Sequence, residues 1–126
     1  MARFGDLEAA VMDLMWSAGG RPVRVRWVAD EINHDRHLAF NTVQTVMENL
    51  FRKGWLIRRK DGQAYWYVAA RSREDYVAGL FREALTAAPD PTTTLVRLVM
   101  EELQPAEAAQ LRRALDKAAA EGKSSQ

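Results

Sequence analysis

Two short β-prone runs, WLIRRK at 55–60 and QAYWYVA at 63–69, flank Asp61-Gly62, while every other patterned stretch of the chain has a helical period. An Asp-Gly pair between such runs marks a hairpin, because these residues tolerate the positive φ of a tight turn. A lone hairpin is at best marginally stable in water, so its apolar face must rest on helices. The expected fold class is therefore mainly α with a small β-hairpin.

The helices on either side set the architecture. Asp6 is a plausible N-cap before LEAAVMDLMWSA, in which Leu7, Val11, Leu14, Met15 and Ala18 recur at spacings of three and four. Gly19-Gly20 ends that helix, and Val23 to Val25 reads as a short extended piece. A second helix runs from about Arg26 to Asn33, burying Val28, Ala29 and Ile32. After the polar connection HDRHLAF, Asn41 is the expected N-cap of a third helix that stops at Gly54, with Val43, Val46, Met47 and Leu50 inside. Helix, short strand, helix, helix, hairpin is the order of a winged helix-turn-helix, assigned to residues 1–71.

Residues 72–121 carry a different texture. Ser72 to Asp75 resembles a capping box, with Asp in place of the preferred Glu or Gln. Three short helices follow, broken at Ala88 to Pro91 and again near Pro105. Their apolar positions are Val77, Leu80, Phe81, Leu95, Leu98, Val99, Leu103, Leu111 and Leu115. Helices this short cannot close a sizeable core alone. They pack either on the N-terminal domain or on a second copy, and the second choice makes them a C-terminal helical dimerisation arm and the protein a homodimer. Residues 122–126 are expected to be a disordered tail.

Composition narrows the function. The chain has no cysteine, which excludes thiolate metal sites and disulfides. His34 and His37 lie in a polar turn without the further ligands a metal needs, and no cofactor is expected. No nucleophile–base set or phosphate-cradling glycine loop appears, so an enzyme is not expected. No apolar run is long enough to span a membrane and no leader pattern opens the sequence, so the expected location is cytoplasmic, without membrane insertion.

The formal net charge is only +1, yet residues 1–71 carry 11 Lys+Arg against 8 Asp+Glu while residues 72–126 carry 7 against 9. The basic excess is N-terminal and gathers in Arg52, Lys53, Arg58, Arg59 and Lys60, at the end of the third helix and along the hairpin. These five are candidate contacts to the backbone of double-stranded DNA, because phosphate contacts supply affinity and register without reading sequence. Arg52 and Lys53 also suit the negative end of their helix. Arg24 and Arg26 also come within reach of a phosphate, but cations at a helix start oppose its dipole. Beside Glu48, the exposed side of the third helix offers Asn41, Thr42, Gln44, Thr45 and Asn49. Amides bond adenine edges and a threonine methyl packs on thymine, so these are the candidate base-contacting residues. Trp16 and Trp55 are expected in the core and Trp27 partly exposed. Trp66 packs either under the wing or against the DNA backbone.

GDLEAAVMDLMW, LAFNTVQTVMENLFRKGWL, DGQAYWY, LVRLVMEEL and LRRAL together resemble the penicillinase repressor family of BlaI/MecI type, across nearly the whole chain. The resemblance implies a homodimeric transcriptional repressor on a pseudo-palindromic operator, tied to antibiotic or cell-wall stress. It also implies a membrane sensor protease system that relieves repression by cleavage in the dimerisation region. The family's DNA-contacting positions map onto Asn41, Thr42, Gln44, Thr45 and Asn49, a neutral set where relatives often carry a basic residue, which implies altered operator preference. The family's Asn-Phe cleavage pair falls near Arg97-Leu98, so that chemistry does not carry over residue for residue. Two other readings stay open: a winged-helix protein-interaction module, and a ligand-sensing regulator with a different inducer.

Overall fold

The computed structural model describes residues 3–124, in the order α1 (Asp6–Ser17), α2 (Val25–Ile32), α3 (Phe40–Arg52), β1 (Leu56–Asp61), β2 (Ala64–Ala69), α4 (Arg73–Ala87), α5 (Pro91–Glu102) and α6 (Pro105–Ser124). The chain divides into two compact units, 1–82 and 83–126.

In the first unit, helix ends depart by a residue or two from the sequence expectation. Gly5, not Asp6, is the N-cap of α1; its N–H donates to Glu8 Oε1 at 3.1 Å, and Asp6 sits in the first turn, where the dipole favours an acid. Ala39, not Asn41, is the N-cap of α3, and it has no side-chain cap. The connection is ordered instead by Asn33, whose Nδ2 donates to Leu38 O at 3.0 Å while its Oδ1 accepts from Leu38 N–H at 2.7 Å. That closure leaves Asn41 on the helix surface. At the other end, Gly54 takes φ 86° and Trp55 N–H donates back to Leu50 O at 2.9 Å. This is the Schellman closure, with Trp55 and Leu50 both buried beneath it.

The hairpin is antiparallel, with Leu56 opposite Ala69 and Asp61 opposite Ala64. Asp61 is therefore the last strand residue, and the two loop residues are Gly62 and Gln63. Gly62 has φ 65° and, among the described residues, no non-glycine residue has positive φ, the pattern of a type II′ turn with glycine at its first central position. Val23 adds a bridge to Tyr67, exchanging hydrogen bonds of 2.9 and 2.8 Å. It thereby anchors the hairpin to the start of α2.

The core joins Val11, Met12 and Met15 of α1, Val25, Val28, Ala29 and Ile32 of α2, and Val43, Met47 and Leu50 of α3 to Val23, Trp55, Leu56 and Tyr67. Leu7, Leu14, Ala18 and Val46 pack at its margin, and so does Trp16, which was expected inside. Its indole N–H donates to Arg71 O at 2.8 Å. Ser72 and Asp75 do form a reciprocal box at the start of α4, each N–H donating to the other side chain at 3.0 Å. The unit reaches past the boundary expected at 71 because Tyr76 belongs to it. Tyr76 stacks on Phe4 at 4.1 Å, stands edge-on to Trp55 at 5.5 Å, and accepts a hydrogen bond from Phe4 N–H at 2.8 Å.

The second unit begins within α4. Asp90 caps α5 through Thr93 N–H at 3.2 Å, with Pro91 in the first turn, where its missing N–H costs nothing. α6 continues through Ser124, so the expected tail is helical as far as it is described; Ser125 and Gln126 lie outside the described residues. No residue from 83 to 122 is buried. Among the described residues, no helix is long and apolar enough to cross a membrane.

Candidate nucleic-acid interface

α3 buries Val43, Met47 and Leu50, a stripe that fixes which side chains face outward. Asn41, Thr42, Thr45 and Asn49 are exposed; Gln44 is half-buried. The exposed positions before Arg52 therefore carry two amides and two hydroxyls, and Glu48, half-buried like Gln44, is the one acid of the helix. Thr45 Oγ1 donates to Asn41 O at 2.9 Å, so its proton is committed inside the helix. What Thr45 presents outward is a methyl group and an acceptor oxygen. The helix does not compete for Thr42 or Asn49 in this way.

The five expected backbone cations are not equivalent. Lys53 Nζ lies 2.7 Å from Glu8 Oε2, an ion pair between residues 45 apart that ties the end of α3 to α1. Burial pushes the Glu8 carboxyl up, but hydrogen bonds from Lys53 and the Gly5 N–H outweigh that, and its pKa lies below the usual value. Arg58 points back across the hairpin, its guanidinium 4.2 Å from the Phe51 ring and 4.3 Å from the Tyr65 ring. The Tyr67 hydroxyl oxygen, as acceptor for the guanidinium, holds its pKa above the ordinary arginine value. Arg58 thus ties the wing to α3. Arg52, Arg59 and Lys60 are exposed, and their side chains make no ion pair or ring contact among the described residues.

Seven arginine–ring contacts occur among the described residues, against about two expected for a chain this long. Trp66 packs under Arg24, whose guanidinium is 4.4 Å from its ring, and Trp27 is partly exposed beneath Arg21 at 5.1 Å. Arg26 lies 4.6 Å over Phe40, the first residue of α3. Sequence reasoning did not see these pairings, which follow no helical or strand period and so leave no periodic signal. A groove of about 610 Å³ on the outer side of the hairpin is lined by Pro22, Ile57, Arg58, Arg59, Lys60, Asp61, Trp66 and Val68.

The expected dimerisation residues fall on α4, α5 and α6. Val77, Phe81, Leu95, Leu98 and Leu115 are exposed, while Leu80, Val99, Leu103 and Leu111 are half-buried. Val96 and the 79% exposed Met100 join the apolar surface of α5 and were not anticipated. Their spacing of four residues was available as a signal. Among the described residues, no group of three or more His, Cys, Asp or Glu side chains is placed to hold a metal.

Two-helix clasp, outward polar helix and β-wing on one core define a winged helix-turn-helix protein of the DNA-binding class. The penicillinase repressor family model matches residues 4–117. The transcriptional regulator BlaI of Mycobacterium tuberculosis (strain H37Rv) is 39% identical over 117 residues, covering 91% of this chain and 84% of that protein. The solution structure of the DNA-binding domain of the repressor BlaI superposes with a TM-score of 0.51 at 26% identity, covering 59% of this chain and 88% of that domain. The chain belongs to the penicillinase repressor family. It is a BlaI-like transcriptional regulator with a winged-helix DNA-binding fold, and its family and relatives are regulators, not enzymes.

Proposed function

We propose that the protein is a homodimeric repressor that reads a pseudo-palindromic operator in double-stranded DNA. The observation that carries the reading is the row of exposed amides and hydroxyls on α3, flanked by cations at its end and on the wing. Thr42, Gln44, Thr45, Asn41 and Asn49 read base edges from the major groove, which is wide enough for a helix. Arg52, Arg59 and Lys60 hold phosphates; Lys53 and Arg58 add charge there while serving as ties within the fold.

Dimerisation is supported by the second unit, where no residue of the amphipathic helices from 83 to 122 is fully buried. Apolar stripes of this kind are stabilised by a partner surface, and two-fold pairing places two recognition helices on two half-sites. Residues 1–71 with the first turns of α4 then form the reading head, and the remaining helices form the dimerisation arm. A role in antibiotic or cell-wall stress, with a membrane sensor protease as upstream partner, follows from family membership. With Arg97-Leu98 at the family's cleavage position, release proceeds without Asn-Phe cleavage at that point.

A mobility-shift titration against the DNA upstream of the protein's own coding region, with a scrambled duplex of equal length, tests the reading. Tighter binding to the upstream duplex, with two protomers per site, is expected. Equal binding to both duplexes at physiological salt refutes sequence reading, and no binding to either leaves the fold as a protein-interaction module.

A further inference from the structure

We infer that Arg21, Arg24 and Arg26 form a second phosphate-binding strip, which grips the DNA backbone beside the recognition helix; this rests on the DNA-binding reading above. All three arginines are exposed, and none of their side chains makes an ion pair or a hydrogen bond among the described residues. Their charge is not neutralised within the fold. Arg24 is the N-cap of α2 and Arg26 lies in its first turn, where the helix dipole disfavours cations, and no acidic residue stands there to offset them. α1 places Asp6 and Glu8 in the equivalent turn, and α4 places Glu74 and Asp75. At α2 the usual arrangement is reversed.

The three guanidiniums are nevertheless held in place. Arg21 lies 5.1 Å over Trp27, Arg24 4.4 Å over Trp66 and Arg26 4.6 Å over Phe40. A guanidinium held over a ring keeps N–H groups that no acceptor occupies, and arginine takes phosphate oxygens two at a time. Holding the side chain in advance also lowers the entropy lost on binding.

Position identifies the ligand. Phe40 begins the recognition helix, so Arg26 stands directly before Asn41 and Thr42. Trp66 lies on the wing and lines the groove that also holds Arg59 and Lys60. The strip therefore continues from the start of the recognition helix to the wing cations. An extended polyanion, the phosphodiester backbone, meets such a row along its length.

The test is the salt dependence of binding by the full-length protein to a specific duplex and a random duplex. The triple variant Arg21→Gln/Arg24→Gln/Arg26→Gln should lower the slope of log K against log salt by about 2 to 3 per half-site. Both duplexes should lose affinity by roughly a hundredfold per half-site at about 0.15 M salt. Its melting temperature should fall little, since the loss of the ring contacts is partly offset by removing cations from a positive helix end. Arg113→Gln, exposed on α6, should leave the slope unchanged. The triple lysine variant should keep the slope but bind more weakly, because it keeps charge without the planar stack. A triple glutamine variant with wild-type slope and affinity overturns the strip while leaving the repressor reading intact. The same holds if that variant loses only binding to polyglutamate, which would assign the strip to an acidic polypeptide. A wild-type protein that binds no duplex overturns both.

Discussion

Thr45 offers the sharpest test of how this regulator reads DNA. Its hydroxyl proton is spent on Asn41 O at 2.9 Å, so outward it has a methyl group and one acceptor oxygen. Thr45→Ala removes both at an exposed position, where folding stability should change by no more than about 0.5 kcal/mol. If the methyl packs on a thymine methyl or the oxygen accepts from a base amino group, the loss is about 1–3 kcal/mol per half-site. That is roughly 5- to 150-fold in affinity, and a two-fold dimer doubles the free-energy loss on the full operator. Thr45→Val separates the two contacts: it keeps the methyl and should bind as wild type if thymine is read, and as Thr45→Ala if the oxygen is read. Fluorescence anisotropy with half-site, full-site and random duplexes, backed by thermal melts, measures all of this. Equal loss on specific and random DNA in Thr45→Ala would refute base reading by this residue.

Other perturbations address the remaining links. Met100→Lys and Leu98→Asp place charge on the exposed apolar surface of α5 and should shift the protein to monomer in sedimentation, with full-operator affinity falling and half-site affinity kept. Arg58→Ala should weaken binding to all sequences and lower the salt slope by about 0.9; an unchanged slope, with only a lower melting temperature, would assign Arg58 wholly to the Phe51–Tyr65 clamp. Glu8 has a depressed pKa in the folded protein, so its stabilising contribution is present above the unfolded carboxylate pKa and lost as pH falls through the folded value. Glu8→Gln should flatten that acid limb in thermal melts by less than about 1 kcal/mol, since its partner Lys53 is exposed. Gly54→Ala forces a side chain into φ 86° and should destabilise by about 1 kcal/mol or more, read as a fall in melting temperature.

Much of the fold was legible from local pattern. The spacing of Val43, Met47 and Leu50, the glycine after α3 and the Ser72–Asp75 box each act over a few residues, and each appears as read. The errors are local too. Asn41 has a capping residue's chemistry, yet Ala39 holds that place because Asn33 closes the turn onto Leu38 and winds the helix earlier. Asp61 was read into the turn, but cross-strand pairing with Ala64 draws it into β1.

By itself the sequence determined the order of elements, the buried stripe of α3, and hence which amides and hydroxyls face outward. Helix period and turn preference are short-range properties of the backbone and need no knowledge of distant neighbours. Only the tertiary structure decided which cations remain available. Lys53 meets Glu8 from 45 residues away, Arg58 is held between two rings, and Arg24 lies over Trp66. The physical reason is that electrostatic and stacking energies depend on distance through space, and the folding of α2 and the wing onto one core sets those distances.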